Sequence, residues 1–139
     1  MFTKPDKSKP KTQIDSLVGL GTKIVGDVSF TGGLRVDGEV IGNVKLTSEE
    51  SSTLVLSETG RIEGEVRVGH LVVNGTIIGP IFSTHSLELQ SEARIKGDVE
   101  YKILEIHPGA VVEGRFLPQD TSVKLVELKL KTSAKPEQL

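Results

Sequence analysis

Residues 36–44 read VDGEVIGNV and residues 73–81 read VNGTIIGPI, an aliphatic residue at every second place with glycine recurring between them. Both are instances of a wider unit, [Val/Ile]-x-Gly-x-[Val/Ile/Phe]. It occurs as IVGDV (24–28), VDGEV (36–40), VIGNV (40–44), IEGEV (62–66), VNGTI (73–77), IIGPI (77–81), IKGDV (95–99) and VEGRF (112–116). A longer frame surrounds the unit: LVLSETGRIEGEV (54–66), LELQSEARIKGDV (87–99) and LEIHPGAVVEGRF (104–116) align without a gap, and Leu34 and Leu71 open shorter versions. Starts at Leu54, Leu71, Leu87 and Leu104 are 17, 16 and 17 residues apart, which defines an internal repeat near 17 residues.

Alternation at period two assigns these stretches to strands with one buried face, because side chains on a strand point alternately to opposite sides. A helix is excluded: glycine and β-branched residues recur too often for a stable helix interior. Seventeen residues hold three short strands of four or five residues and the bends between them, and glycine lets the chain turn where a Cβ would clash. A single coil of this kind cannot bury its apolar side. Coils stacked on one another can, with equivalent strands pairing in parallel and equivalent aliphatics forming columns, so the repeat predicts an all-β solenoid of about six coils. The core must be filled by branched aliphatics, since aromatics make up 4% of the 139 residues and Trp is absent.

The left-handed β-helix of hexapeptide-repeat acyltransferases is the competing architecture. Its coils hold close to 18 residues in strict hexads, whereas Leu34 to Leu54 spans 20 here and later steps are 16 or 17. The hexad count fails.

Charge divides the chain into three parts. Residues 1–16 carry four Lys against two Asp, residues 17–117 nine Lys and Arg against fourteen Asp and Glu, and residues 118–139 four Lys against three acids. The expected organisation is therefore a basic, disordered tail (1–16), a β-helix domain (17–117) and a C-terminal tail (118–139). With no cysteine, neither a disulfide framework nor a thiolate metal site can form. No apolar run reaches the roughly 20 residues of a membrane-spanning helix, and MFTKPDKSKPK lacks the apolar stretch of a secretory signal. A cytoplasmic location is expected.

The stretch GTKIVGDVSFTGGLRVDGEVIGNV (21–44), the LxLxxxGxIxGxV coils and the closing VVEGRF (111–116), in that order, resemble the bactofilins, bacterial cytoskeletal proteins. The resemblance covers residues 17–117, and the N-terminal Met-Phe followed by lysines is similar to the tail of many family members. It implies a right-handed, three-sided β-helix that polymerises end to end without nucleotide. It further implies filaments on the cytoplasmic face of the inner membrane, acting as scaffolds for cell-wall-modifying enzymes or other morphogenetic factors in cell shape.

The residues supply their own argument for polymerisation. A solenoid's end coils expose unpaired backbone groups and a section of apolar core, which soluble repeat proteins hide under polar caps. No cap is evident in SLVGLG before the first coil or in VEGRFLPQD, broken at Pro118, after the last. Phe116 falls at the inward position held by Val66 and Val99 in earlier coils, so it is the expected polymerisation residue at the C-terminal end; Phe30 is its candidate counterpart at the N-terminal end. In the tail, Met1 and Phe2 precede Lys4, Lys7, Lys9 and Lys11, a pattern suited to inserting an apolar tip while lysines meet anionic headgroups. VKLVELKLK (123–131) alternates enough for an edge strand yet also has apolar residues at helical spacing, and it reads either as packed on the domain or as a mobile tail offering a partner motif.

Enzyme readings find less support. Asp37, Glu39, Glu63, Glu65 and Asp98 alternate with Val and Ile and so belong to an outward, solvated face. His70, His85 and His107 lie in three coils without close metal-ligand spacing, so neither a metal nor a cofactor is expected. GLGTK (19–23) lacks the Gly-Lys-Ser/Thr order of a phosphate loop and precedes a strand. A domain of net negative charge with few aromatics is a poor nucleic-acid binder. A structural, self-assembling protein is the leading reading; a left-handed acyltransferase-like enzyme and a non-polymerising β-helical adaptor are the alternatives.

Overall fold

The structure, a computed structural model, describes residues 13–47 and 51–119. These contain sixteen strands that wind through six coils. The first coil is β1 (Ser16–Val18), β2 (Lys23–Val25) and β3 (Val28–Phe30), and the second is β4 (Gly32–Val36), β5 (Glu39–Ile41) and β6 (Val44–Leu46). The third begins with β7 (Ser52–Leu56) and β8 (Arg61–Glu63) and runs into β9 (Val66–Val73), whose second half opens the fourth coil. The fourth continues through β10 (Thr76–Ile78) into β11 (Ile81–Leu89), which likewise opens the fifth; β12 (Arg94–Lys96) and β13 (Val99–Tyr101) complete that coil. The sixth coil is β14 (Ile103–Ile106), β15 (Val111–Glu113) and β16 (Phe116–Pro118).

Every pairing is parallel, and each strand lies against its equivalent one coil away. Three faces result. On the first, Leu34, Leu54, Leu71, Leu87 and Leu104 stand in register, as do Val36, Leu56, Val73, Leu89 and Ile106. On the second, the column is Ile24, Val40, Ile62, Ile77, Ile95 and Val112. On the third it is Val28, Val44, Val66, Ile81, Val99 and Phe116. The repeat frame read from the sequence is therefore the physical register, and its aliphatic columns form one buried cluster.

Strand lengths differ from the expectation of four or five residues. On the second face they are three residues long, because the glycine that follows ends each strand. Conversely, β9 and β11 run through the corner between the third and first faces, where only Gly69, or Thr84 and His85, separate the two halves. Polar side chains stabilise this corner: the Gly69 N–H donates to Ser52 Oγ at 3.0 Å, and Ser83 Oγ donates to the Gly69 carbonyl at 3.0 Å. The fully buried Ser83 is thereby satisfied.

Between the second and third faces the glycines themselves form a column: Gly26, Gly42, Gly64, Gly79, Gly97 and Gly114. The Gly79 N–H donates to the Lys96 carbonyl of the next coil at 2.8 Å, and Gly64 donates to Ile78 at 2.9 Å. At φ +146°, Gly79 holds a conformation that L side chains rarely adopt, and a Cβ there would collide with the Gly64 carbonyl. The column is what allows coils to approach to strand-pairing distance at this corner.

Gly79→Ala should cost about 2–4 kcal/mol, combining backbone strain with overpacking, read as a lowered urea midpoint. Gly19→Ala is the control, since a Cβ at Gly19 meets nothing within 4 Å. Equal midpoints for the two variants would refute the glycine column as a packing constraint.

Candidate assembly interface

The inward columns are sealed in the middle of the solenoid and open at its C-terminal end. Leu89 and Val99 are completely buried, yet their register partners in the last coil, Ile106 and Phe116, are 47% and 40% exposed. Ile103 is 62% exposed, and Val111 is exposed as well. Among the described residues, all the large exposed apolar side chains lie in or beside the end coils: Ile14, Leu17, Leu20 and Val25 at one end, Ile103, Ile106, Val111 and Phe116 at the other. Coils two to five expose none.

The backbone is open at the same place. Val66, Ile81 and Val99 each donate an N–H to the following coil, at 2.8–3.0 Å. Phe116 is next in that series and Gly114 next in the glycine series, so their N–H groups point past the last coil, where the described residues hold no further coil to accept them. An open strand edge beside exposed core is a template for another strand.

Phe116 thus stands where the sequence placed it, at the foot of the third-face column. Its ring packs edge-on against Tyr101, with centroids 6.4 Å apart. Phe30 is different. It pairs with Leu46 and is only 7% exposed, its ring already enclosed by its own chain, so it offers the N-terminal end little surface. The exposed apolar side chains there are Ile14, Leu17, Leu20 and Val25. Met1, Phe2, Lys4, Lys7, Lys9 and Lys11 lie outside the described residues, as does 123–131. Among the described residues no helix is long and apolar enough to cross a membrane.

The outward acids are held in ion pairs. Asp37 lies 2.9 Å from Arg35, Glu63 2.8 Å from Arg61, Glu65 3.1 Å from Arg67, and Glu39 3.8 Å from Arg61. Paired, solvated carboxylates on alternating positions are the surface of a strand. Two polar groupings escaped the sequence reading. His70 and His85, taken there as belonging to separate coils, stack with ring centroids 5.1 Å apart, while His70 Nδ1 shares a hydrogen bond with Ser86 Oγ at 2.7 Å. His107 Nε2 lies 3.1 Å from Glu88 and 3.0 Å from Glu105, two carboxylates that face each other in register. The imidazole sits against both members of this cross-strand pair. Applying the 16- to 17-residue period to polar positions, and not only to aliphatic ones, brings out both groupings.

A side-chain ladder follows the glycine column. The N–H of Asn43 donates to Asp27 Oδ1 at 2.9 Å and that of Glu65 to Asn43 Oδ1 at 2.8 Å; in the last coil, the Arg115 N–H donates to Asp98 Oδ1 at 3.0 Å. The Arg115 guanidinium also donates to Asp98 Oδ2 at 2.7 Å. This side-chain hydrogen bond first, and the backbone one second, hold the Asp98 carboxyl below its ordinary value of 3.8.

Comparison with known proteins agrees with this geometry. Residues 16–116 match a family described as "Bactofilin: Polymer-forming cytoskeletal". The chain is 31% identical to Bactofilin BacP of Myxococcus xanthus (strain DK1622) over 115 residues, 83% of this chain and 46% of BacP. It is 23% identical to Bactofilin BacO of the same organism over 110 residues, 79% of this chain and 84% of BacO. The chain thus spans about half the length of BacP. No solved structure matches it. A stack of parallel coils, matched over residues 16–116 to a family described as polymer-forming and cytoskeletal, defines the class, a β-solenoid of such a family. Within that class, the chain belongs to the bactofilin family.

Because the folded Asp98 pKa is depressed, its contribution is complete above pH 3.8 and is lost as pH falls through the lower folded value. The protection factor of the Arg115 amide in hydrogen exchange should therefore fall as the pH is taken well below 3.8, and Asp98→Asn should remove that step. An identical step in Asp98→Asn would assign it to another group.

Proposed function

We propose that the chain assembles end to end, without nucleotide, into membrane-associated filaments that scaffold cell-wall or morphogenesis factors. The observation that carries this reading is the opening of the core columns at the last coil, where Ile106 and Phe116 are exposed although their partners one coil below are sealed. Stacking a second copy would cover them as each coil covers the next. Such stacking is driven by apolar burial and strand pairing, so no nucleotide is required to supply energy.

Magnitudes show why both contributions are needed. Covering a half-exposed aliphatic or Phe side chain stabilises by about 1 kcal/mol, while association costs about 4 kcal/mol or more in lost freedom. The few exposed side chains of one end balance that cost only at its lower limit. Strand pairing across three faces, at about 0.5–1.5 kcal/mol per hydrogen bond, supplies the surplus.

Membrane attachment in this reading belongs to the N-terminal residues. Met1 and Phe2 would enter the headgroup boundary while Lys4, Lys7, Lys9 and Lys11 face anionic lipid, at about 1 kcal/mol per lysine. One tail is a weak anchor; a filament presenting many converts it into avid binding. A peripheral position on the cytoplasmic face of the inner membrane follows, with the filament as the platform that concentrates cell-wall-modifying enzymes.

Electron microscopy of the purified chain without nucleotide tests assembly. Wild type should form long filaments, and Phe116→Arg, which puts a charge at the end of the third-face column, should give folded particles without them. Long filaments from Phe116→Arg would remove Phe116 from the interface; compact particles from wild type would favour the non-polymerising adaptor. For the membrane, removing residues 2–11 should abolish sedimentation with anionic liposomes while filaments persist, and undiminished pelleting would end the anchor assignment.

A further inference from the structure

We infer that Glu88, Glu105 and His107 form a binding site for a divalent transition-metal ion of the zinc type, on the outward side of the first face, where it bridges the fifth and sixth coils. Strand geometry brings the three together. Glu88 on β11 and Glu105 on β14 are register partners in a parallel pair, so their side chains leave the same side of the sheet from backbones about 4.8 Å apart. His107 follows Glu105 by two places, which returns it to that side about 6.6 Å further along the chain. Its Nε2 reaches both carboxylates, at 3.1 Å from Glu88 Oε2 and 3.0 Å from Glu105 Oε2.

The distances suit a shared ion. Donor atoms about 2.0–2.2 Å from zinc stand about 3.0–3.5 Å from one another at octahedral to tetrahedral angles, and both nitrogen–oxygen separations fall in that range. All three donor atoms lie within 4.8 Å of one another. The ion takes the place of the proton shared between imidazole and carboxylates, with Nε2 as the ligand nitrogen and the ring proton on Nδ1. Three protein ligands leave one tetrahedral position to water.

The chemistry of the donors selects the class of ion. Imidazole favours zinc and its neighbours, whereas magnesium and calcium take oxygen ligands. The carboxylates also have no permanent cation beside them. Asp37, Glu63, Glu65 and Asp98 each pair with an arginine, but among the described residues no Lys or Arg lies within ion-pair distance of Glu88 or Glu105.

The ligands are held in place before any ion arrives. The His107 N–H donates to the Leu89 carbonyl at 2.8 Å, the His107 carbonyl accepts from Ala110 at 3.3 Å, and the Gln90 amide donates to Glu88 Oε2 at 3.1 Å. An outer hydrogen bond of the last kind orients a ligating carboxylate. Nor is the grouping a by-product of the repeat. The outward place of Glu88 and Glu105 is taken by Arg35, Val55 and Val72 in earlier coils. Comparing the histidines only with one another hides the site, because its ligands are one histidine and two acids a coil apart. It lies on the side of the sheet opposite the core columns, so it stands whether or not the chain assembles.

Titration calorimetry of the untagged full chain with zinc chloride tests the inference. One ion should bind per chain, magnesium chloride in tenfold excess should not compete, and His107→Gln should weaken binding about 100-fold or more, since losing even an outer-shell partner costs about 10- to 100-fold. Zinc should also raise the melting midpoint of wild type. Glu88→Gln with Glu105→Gln, which keeps the histidine, should remove both the binding and the zinc-dependent midpoint shift; circular dichroism without metal checks that each variant folds. His85→Gln should leave binding unchanged. No binding, adventitious surface binding only, seen as unchanged affinity in His107→Gln or in the double variant, or loss in His85→Gln, which would move the ion to the His70–His85 stack, would each overturn the inference.

Discussion

Everything in this structure depends on the in-register stacking of identical coils. Backbone pairing between coils requires neighbouring strands to lie at hydrogen-bonding distance on all three faces at once. The aliphatic columns meet that requirement by being of nearly constant width: Val, Ile or Leu fills every place of the four columns from the second coil to the fifth. The glycine column meets it at the corner, where a Cβ on Gly79 would strike the Gly64 backbone. Packing and hydrogen bonding are thus one constraint, and a change in either propagates to the coil above and below.

The same constraint makes the ends reactive. A coil is stable because two neighbours cover it, and an end coil has one. The sealed Val99 and the exposed Phe116 are the same position in successive coils, and among the described residues no coil follows the one that carries Phe116. Family membership and this geometry support each other without depending on each other: one rests on sequence similarity over residues 16–116, the other on where the core is left open. The outward acids, bound in ion pairs with Arg35, Arg61 and Arg67, give the solenoid a solvated surface between its two ends.

Most of the fold was legible because a solenoid turns three-dimensional neighbours into a constant sequence offset. Phe116 could be placed in its column from that offset alone. Phe30 could not be judged in the same way: it occupies the second inward position of β3, paired with Leu46, and its burial depends on how the first coil closes around it. Strand lengths at the corner between the third and first faces were also beyond the pattern, since Ser52, Gly69 and Ser83 build that corner through hydrogen bonds that no hydrophobic alternation signals.

The sequence by itself determined the repeat, the inward and outward sets and the register, because period-two alternation and a 16- to 17-residue offset leave one way to stack the coils. Tertiary structure alone decided which residues at the ends stay uncovered, and which polar groups meet across coils, as His70 does with His85 and His107 with Glu88 and Glu105. The physical reason is that exposure and polar contact depend on the neighbouring coil and on side-chain direction at corners. A linear pattern records the identity of a residue but not what lies above it.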